Sequence, residues 1–380
     1  QALNNPSWQA TVGDLVTKSE LPAAVSVNSM GFNMMRSVGP AAGGAIVAAF
    51  GAAAAFAVNA ASYVAIIAAL SAWKPKPKTS KLPRERFGSA FAAGLRYVAM
   101  SPNLVRTIAR AFLFGLSAIA LQALLPVIVR NALGGTSFTY GVLLGAFGVG
   151  AVFGAMASRR LRDRFENVAI IRSGFAGYAM GYMALALSPP VILAGAVGFL
   201  AGACWVLTLS LLNTTIQLST PRWVVGRVLA LYQTGTFGGM AAGSWIWGGL
   251  AEASGMSVAL LGAGVAMGAG LAFGKLAPLP DRSEMRLDPA NIFIEPELSL
   301  DIQPQSGPVM VIVDFKIDEA DVPTFLQLMA DRRRIRIRDG AGQWTLLRDM
   351  ENPEIWSESY HVPTWVEYIR HHERRTEADI

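Results

Sequence analysis

Polar side chains are rare in the long apolar runs of this sequence, and those that occur there are the first candidates for chemistry. Asn213 and Gln217 lie one helical turn apart, so both amides would face the same side of a helix. Such groups are costly in hydrocarbon, so they face a bundle interior or a wet cavity. The pair can either bind a substrate or bond a neighbouring helix, and the sequence is compatible with both. The further cavity candidates are Asn28, Arg36, Trp205 and Gln233.

Glu252 is the one carboxylate at the edge of an apolar run, and it directly follows the outer end of the seventh run. A carboxylate in this position can carry a proton through the membrane. It can also cap a helix or form a salt bridge at the membrane surface, which is the simpler interpretation. Glu252 is therefore a candidate for proton coupling, with the interfacial role as the alternative.

The stretch 29–45 carries glycines at a spacing typical of close helix packing. Gly31, Gly39 and Gly43 are separated by multiples of four and form one smooth stripe along a helix. Pro40 lacks an N–H, so a helix can bend at this point. The stripe is either a packing surface alone or a device for conformational change.

The composition predicts a membrane protein. Of 380 residues 53% are hydrophobic and 15% are charged, whereas about a quarter are charged in a typical soluble domain. Residues 1–306 hold 22 Lys and Arg against 12 Asp and Glu, and residues 307–380 hold 10 against 14. The basic excess belongs to the apolar part, where basic residues in connections indicate which side of the membrane is cytoplasmic. It is therefore not evidence for a nucleic-acid partner, and none is expected.

Several kinds of site are excluded by residue type. Cys204 is the only cysteine, so neither a disulfide nor a cysteine-rich metal framework can form within the chain. No GxxxxGK[ST] motif is present, which argues against an ATP-driven pump encoded here. His361, His371 and His372 lie in the tail, and we expect them at the solvated surface. No metal or other cofactor is predicted.

Eight apolar runs are long enough to span a bilayer. Basic residues concentrate in alternate connections, at 74–96, 159–164 and 222–227, and the other connections carry almost no charge. Because basic residues mark the cytoplasmic side, both ends of the chain are expected in the cytoplasm. The predicted spans are 24–49, 53–73, 104–129, 140–157, 168–187, 191–218, 224–251 and 256–276.

The chain repeats itself at a spacing of 204 residues, which places the first run on the seventh and the second on the eighth. A parallel repeat of six helices is one architecture of secondary transporters. The first repeat would then begin about 100 residues before Gln1, so we expect a fragment that lacks about three helices and most of a fourth. The shift superposes Gly31 on Gly235, Gly39 on Gly243, Gly44 on Gly248 and Gly51 on Gly255.

The predicted organisation has five parts. Residues 1–73 would hold the end of the first repeat (helices 5 and 6), 74–103 a basic cytoplasmic linker, and 104–276 the second repeat (helices 7 to 12). Residues 277–306 are rich in proline and acidic residues, which is typical of a linker. In residues 307–380 the order strand, helix, strand, strand, helix predicts a small α+β domain, ferredoxin-like and without its last strand. Its predicted strands are 309–317, 343–348 and 356–362, and its predicted helices are 319–336 and 364–374.

Two motifs resemble signatures of the major facilitator superfamily. The sequence GPAAGG, from Gly39 to Gly44, resembles the core of the fifth-helix exporter signature G-x8-G-x3-GP-x2-GG; the two earlier glycines fall on Ser26 and Met35. The sequence GAMASRRLRDR, at 154–164, is similar to the second-half copy of the G-x-x-x-D-R-x-G-R-R loop. In that superfamily the loop ties helices together on the cytoplasmic side. The resemblance implies this gating role for Gly154, Arg159, Arg160 and Asp163.

Longer stretches resemble one branch of the superfamily. The opening NNPSWQATVGDLV, the segment AAFAVNAASYVA and the tail VEYIRHHERRTEAD are similar to enterobactin-exporter-like proteins described as transmembrane secretion effectors. This resemblance covers essentially all 380 residues. The tail also resembles the antibiotic-biosynthesis-monooxygenase-like fold, but it shows no cofactor motif and no catalytic set. We therefore expect a docking or dimerisation module, and not an enzyme.

The resemblance implies an all-α membrane protein of the major facilitator fold, with about 8 of 12 transmembrane helices present, and a small C-terminal α+β domain. The implied function is proton-coupled export of a small apolar or amphipathic molecule, siderophore-like or drug-like, by alternating access. Expected partners are the lipid bilayer, this substrate and protons, with self-association through the tail. The expected location is the bacterial cytoplasmic (inner) membrane, with the C-terminal domain in the cytoplasm. An importer of the same fold and a non-transporting scaffold with an acidic interaction tail are the alternatives.

Overall fold

The computed structural model describes residues 11, 15–16, 20–73, 82–83, 85–187, 189–276, 287, 290, 293, 296 and 298–379. Between 21 and 52 it describes side chains only at 24, 27, 28, 31, 35, 46, 50 and 51. The helices before the tail are α1 (Leu21–Ala72), α2 (Phe87–Ala99), α3 (Pro102–Val127, continued by a π-turn at Ile128–Ala132), α4 (Ser137–Arg164), α5 (Asn167–Ala186), α6 (Val191–Leu218), α7 (Val225–Ser254) and α8 (Met256–Leu276).

Six helices within the described residues are long and apolar enough to cross a membrane. The predicted spans 24–49 and 224–251 also form helices, within α1 and α7, but they are not among these six. Both are rich in Gly, Ser and polar residues, which lowers their hydropathy. Eight spans therefore remain a prediction. The six are Ala53–Ala72, Pro102–Ala132, Phe138–Arg164, Asn167–Ala186, Val191–Leu218 and Met256–Leu276.

Gly51 and Gly255 share an unusual backbone conformation, which agrees with the repeat seen in the sequence. Gly51 interrupts α1 with φ 81° and ψ 168°, and Gly255 separates α7 from α8 with φ 92° and ψ 160°. This region of backbone space is essentially restricted to glycine. Two positions 204 residues apart thus make the same break between consecutive helices.

Helices α3 to α8 form one bundle, in which α3 pairs with α7, α4 with α6 and α5 with α8. Aromatic side chains fill its centre: the Phe114 ring meets the edges of Phe175 at 5.2 Å and of Tyr178 at 5.5 Å between centroids. The Tyr182 hydroxyl donates to the Ser117 carbonyl at 2.7 Å. Cys204 is buried in the same core, as expected for a small packing residue.

The α3–α7 pair is held together backbone to backbone. A Cβ at Gly239 would overlap the Phe112 carbonyl, and one at Gly243 would overlap the Leu116 carbonyl. One turn beyond Gly243, the Trp247 indole donates to this same Leu116 carbonyl at 2.7 Å. The missing side chain at Gly243 therefore brings the two helices close enough for a hydrogen bond between them.

The α4–α6 pair uses glycine on both helices. On α4, a Cβ at Gly150 would overlap the Phe199 carbonyl, and one at Gly154 would lie 2.6 Å from the Ala203 carbonyl oxygen. On α6, a Cβ at Gly202 would overlap the Phe147 carbonyl. Lipid gives helices no hydrophobic reason to associate, so the van der Waals contacts made at this close approach help to hold the pair together.

The tail folds as predicted from its element order. Strands β1 (Val309–Lys316), β2 (Gly342–Arg348) and β3 (Ile355–Val362) form an antiparallel sheet in the order β1-β3-β2. Helices α9 (Val322–Asp339) and α10 (Trp365–Glu373) complete it. The strand order agrees with a ferredoxin-like unit without its last strand, which remains the interpretation of this domain.

Replacing Gly243 by alanine tests the contact between α3 and α7. The added methyl would push the helices apart and lengthen the Trp247 hydrogen bond, so we expect a loss of about 1–3 kcal/mol in stability. Gly238→Ala is the matched control, since a Cβ there meets nothing within 4 Å. Thermal unfolding of the two purified variants in one detergent measures the difference; equal melting temperatures would contradict the packing role.

Candidate functional site

The glycine stripe of 29–45 lies within α1, which continues as a helix through Gly39, Pro40, Gly43 and Gly44. A Cβ at Gly31 meets nothing within 4 Å among the described atoms. The side chain of Arg36 lies outside the described residues. The stripe is thus placed on a helix, and its role in conformational change remains a prediction.

The second copy of the stripe, on α7, is where tight packing is seen. Gly235 and Gly243 are the counterparts of Gly31 and Gly39, and Gly239 lies between them at the same spacing. A Cβ at Gly235 would lie 2.9 Å from Ile108, and the other two would overlap the α3 backbone. The sequence repeat pointed to the glycines of α7. The close-packed glycines of α4 and α6 (Gly150, Gly154 and Gly202) are not part of that repeat.

Asn213 and Gln217 bond each other across one turn of α6. The Gln217 side-chain NH2 donates to the Asn213 side-chain oxygen at 2.6 Å. Gln217 is buried and Asn213 half-buried. The two amides therefore form one bonded polar unit on α6 rather than two separate groups.

The other predicted cavity residues are spread over several places. Trp205 is 1% exposed and packs against Phe114 and Phe147 in the bundle core. Gln233 on α7 and Asn28 on α1 are half-buried. The described members of this set thus lie on three helices, with Trp205 in the core and Gln233 and Asn28 partly accessible.

Glu252 is exposed in the last turn of α7. Residues 225 to 252 span about 40 Å at 1.5 Å per residue, so Glu252 lies at the end of α7 away from Asn213 and Gln217. These two candidates for polar chemistry are at opposite ends of the bundle.

A small apolar crevice lies between α3, α4, α5 and α6, and none of its lining residues was a candidate in the sequence. Its walls are aliphatic or aromatic side chains, and Gln122 is its one amide. The other lining residues are Leu121, Leu125, Ile128, Leu143, Leu144, Phe147, Leu185, Ala194 and Gly198. Gln122 belongs to the polar residues of the spans, but only the fold shows what surrounds it.

The basic motif at 154–164 is helical and does not form a loop. Helix α4 continues to Arg164, so the connection to α5 is reduced to Phe165 and Glu166. Arg162 donates from Nε to the Ser158 carbonyl at 3.2 Å, and cations are favourable at a helix C-terminus. Arg159, Arg160 and Asp163 are exposed on these last turns, while Gly154 packs against α6.

The tail is docked on the bundle through one carboxylate, Glu85, which the sequence analysis missed. Arg227 of α7 donates to it at 2.5 Å, and Arg374 of the tail donates at 2.6 Å. Arg370 approaches it at 3.8 Å and also donates to the Pro83 carbonyl. Glu85 thus joins the start of α7 to the end of α10. The sequence feature that could have pointed to Glu85 is that it is the one acidic residue in 74–103.

Aromatic rings extend this docking surface. The Arg374 guanidinium lies over the Trp223 ring at 4.4 Å, and Arg338 of α9 lies over the Tyr97 ring at 5.0 Å. Arg96 of α2 donates to the Arg338 carbonyl at 3.3 Å. Guanidinium groups combine well with carboxylates and aromatic faces at once. The tail therefore touches both α2 and the segment before α7.

The histidine prediction is wrong for His371, which is 1% exposed. Its Nε2 lies 3.1 Å from Arg336 Nη1, so the ring accepts a hydrogen bond there. Burial, then the positive charge of Arg336, holds the pKa of His371 well below its usual value. His371 is therefore a neutral core residue at physiological pH.

Reversing the charge of Glu85 should loosen the tail. Glu85→Lys would place a fourth cation among Arg227, Arg370 and Arg374. We therefore expect amide exchange in Phe87–Ala99 to become at least tenfold faster, which corresponds to ~1.4 kcal/mol less free energy of local opening. Burial raises the pKa of Glu85, but Arg374 and Arg227 outweigh it and leave the pKa below its ordinary 4.5. The contact is thus complete at neutral pH and is lost only as the pH falls through that lowered value.

Hydrogen-exchange mass spectrometry of the whole protein measures this effect. Glu354→Lys is the control, because Glu354 pairs with Lys316 at 3.4 Å on the exposed side of the tail. Equal exchange of Phe87–Ala99 in both variants would show that Glu85 does not hold the tail in place.

Comparison with known proteins agrees with the helical bundle. A family described as transmembrane secretion effector matches residues 1–380, and its members are membrane transporters and not enzymes. No curated protein matches the chain. The match spans the helices and the tail together, so the chain belongs to the transmembrane secretion effector family of the major facilitator superfamily.

Proposed function

We propose that this membrane transporter exports a small apolar or amphipathic molecule, siderophore-like or drug-like, in exchange for protons. The observation that carries the proposal is the apolar crevice between α3, α4, α5 and α6, with Gln122 as its one amide. Its free volume is about 10 Å³, room for about one water, so the helices must move apart before a cargo can enter between these walls. Ligand sites are typically apolar with a few polar groups that fix orientation. An apolar molecule with one or two hydrogen-bonding groups suits such walls.

The arginines in the interior of the bundle lie at the end of the helices away from the crevice, and Arg130, at the crevice end, is exposed, which supports an uncharged cargo. Arg106 and Arg110 are in the first turns of α3, and Arg172 is in the second turn of α5. Arg110 donates to the Gly274 carbonyl at 3.1 Å. Gln122 follows Arg110 by 12 residues, about 18 Å along α3. A multiply charged anion in the crevice would be far from these guanidinium groups.

Alternating access would use the contact of α1 with α4 and α6. In the proposed mechanism the bundle α3–α8 moves as one body against the repeat to which α1 belongs. The stripe of Gly31, Gly39 and Gly43, with Pro40, would let α1 slide and bend during this movement. The basic turns at the end of α4, with Arg159, Arg160 and Asp163, would limit opening on the cytoplasmic side.

Proton coupling is assigned to Glu252 as a hypothesis. Among the described residues of α3 to α8 the other carboxylates are Asp163 and Glu166, at the end of α4 and just beyond it. An exposed group at the far end of α7 can exchange protons with the external solution. Asn28, Arg36, Asn213, Gln217 and Gln233 are the polar groups proposed to meet the cargo along its path, with Trp205 supporting them from the core.

We place the protein in the bacterial cytoplasmic membrane with the tail in the cytoplasm. The tail contacts α2 and the segment that holds Trp223 and Arg227, and both belong to basic connections. Basic connections mark the cytoplasmic side. The outer face of the sheet exposes Met310, Ile312 and Leu347, which are suited to self-association of two tails.

Transport direction and coupling are tested by accumulation assays in cells that express the protein, with and without a protonophore. We expect lower accumulation of apolar test compounds, reversed by the protonophore. Leu144 lines the crevice, so Leu144→Trp should obstruct it and slow efflux at least tenfold, which corresponds to ~1.4 kcal/mol in the activation free energy. Leu193→Trp is the control, because Leu193 is exposed on α6.

Each other outcome has a defined meaning. Higher accumulation on expression would indicate uptake, and efflux that resists the protonophore would contradict proton coupling. Equal efflux by the Leu144 and Leu193 variants would remove the crevice from the transport path. No change for any compound would favour a scaffold.

A further inference from the structure

The tail has an open-sided cavity of about 360 Å³ that docking and transport leave unexplained. It lies along one face of α9, with the end of β1 on one side and the end of α10 on the other. Its volume falls within the range of about 300–1,000 Å³ that small-molecule sites occupy. The cavity is therefore large enough for a ligand of one or two rings or a short chain.

The two ends of this cavity differ in chemistry. Phe315, Phe325 and Leu328 form an apolar end. Arg332 and Arg336 of α9, with His371 and Arg375 from α10 and just beyond it, form the other, basic end, where Asp339 and Asp379 also line the wall. Such a gradient suits a molecule with an apolar body and one charged group.

The basic end carries more positive charge than its partners neutralise. Glu358 is fully buried and is shared by Arg332 at 2.9 Å and Arg336 at 3.1 Å. Among the described residues no carboxylate lies within ion-pair distance of Arg375. Three further carboxylates line the cavity, and each already has an arginine partner: Asp339 and Asp379 bind Arg338, and Asp331 pairs with Arg334.

Two groups at this end respond to the excess charge. Burial, then the positive charge of Arg336, lowers the pKa of Arg375. The same two causes lower the pKa of His371, which therefore stays neutral and adds no charge of its own. An anion placed beside Arg375 would relieve this repulsion.

We propose that the tail cavity is a binding site for a small organic anion, a carboxylate with an apolar body. The carboxylate lies at Arg375, in the field of Arg332 and Arg336, and the body lies against Phe315, Phe325 and Leu328. Arg374, the residue before Arg375, donates to Glu85 at the docking surface. The site is thus one residue away from the contact that joins the tail to the bundle. It shares no lining residue with the crevice in the membrane helices, so binding in the tail can be tested separately from transport.

The proposal is tested with the whole protein in lipid nanodiscs, with 6-fluoro-2-naphthoate as the probe and empty nanodiscs as the blank. Fluorine NMR of the probe measures binding, and decanoate serves as an aliphatic competitor. We expect the neutral analogue 6-fluoro-2-naphthamide to bind at least tenfold more weakly. Arg375→Ala should weaken naphthoate binding at least tenfold, and Arg375→Lys, which keeps the charge, should restore most of it.

Arg333→Ala is the matched control, since Arg333 is exposed on α9 and lies over the Trp344 ring at 5.8 Å, and neither residue lines the cavity. Equal affinity of the acid and the amide would overturn the proposal. So would equal binding by the Arg375→Ala and Arg333→Ala variants, or the absence of binding by both carboxylates at about 1 mM. A Leu144→Trp variant should bind the probe like the unchanged protein, which separates this site from the transport path.

Discussion

The contact of helix backbones through glycine is the interaction on which the bundle depends. At Gly243 the absent side chain lets α7 approach the Leu116 carbonyl, and Trp247 then bonds this carbonyl at 2.7 Å. Gly150 and Gly202 do the same between α4 and α6 from opposite sides. Lipid gives helices no hydrophobic reason to associate, so close packing and interhelical hydrogen bonds must hold them. The result is a closely packed bundle of α3 to α8, which is compatible with the proposed movement of these helices as one body.

The tail is attached by a different kind of force. Its contacts with the bundle are guanidinium groups on a carboxylate and on aromatic rings, centred on Glu85, Trp223 and Tyr97. These contacts lie on polar segments outside the predicted spans, where the charged groups can be paired or hydrated. Because each contact depends on a few charged side chains, salt should weaken it more than it weakens glycine packing. Arg374 and Arg375, adjacent in sequence, connect this surface to the tail cavity.

Periodicity and composition predicted the helices, the tail elements and the repeat, because each depends on local pattern. The shift of 204 residues anticipated that Gly51 and Gly255 are equivalent, and their matching backbone angles agree with this. What failed depends on tertiary contacts. The helical extension to Arg164 turned a predicted connection into part of α4, and His371 is buried because Arg336 and Tyr360 surround it. Glu85 stood out only as an acid among basic residues, and its three arginine partners come from distant parts of the chain.

Movement of the bundle as one body is the central claim, and distances between spin labels test it most directly. With Cys204 replaced by alanine, one pair of labels joins Val27 of α1 to Arg164 of α4, and a second joins Arg164 to Leu276 of α8; all three positions are exposed. Double electron–electron resonance should show a shift in the first distance when a transported compound or a proton gradient is supplied, and a constant second distance. A change in the second distance, or none in the first, would contradict the account.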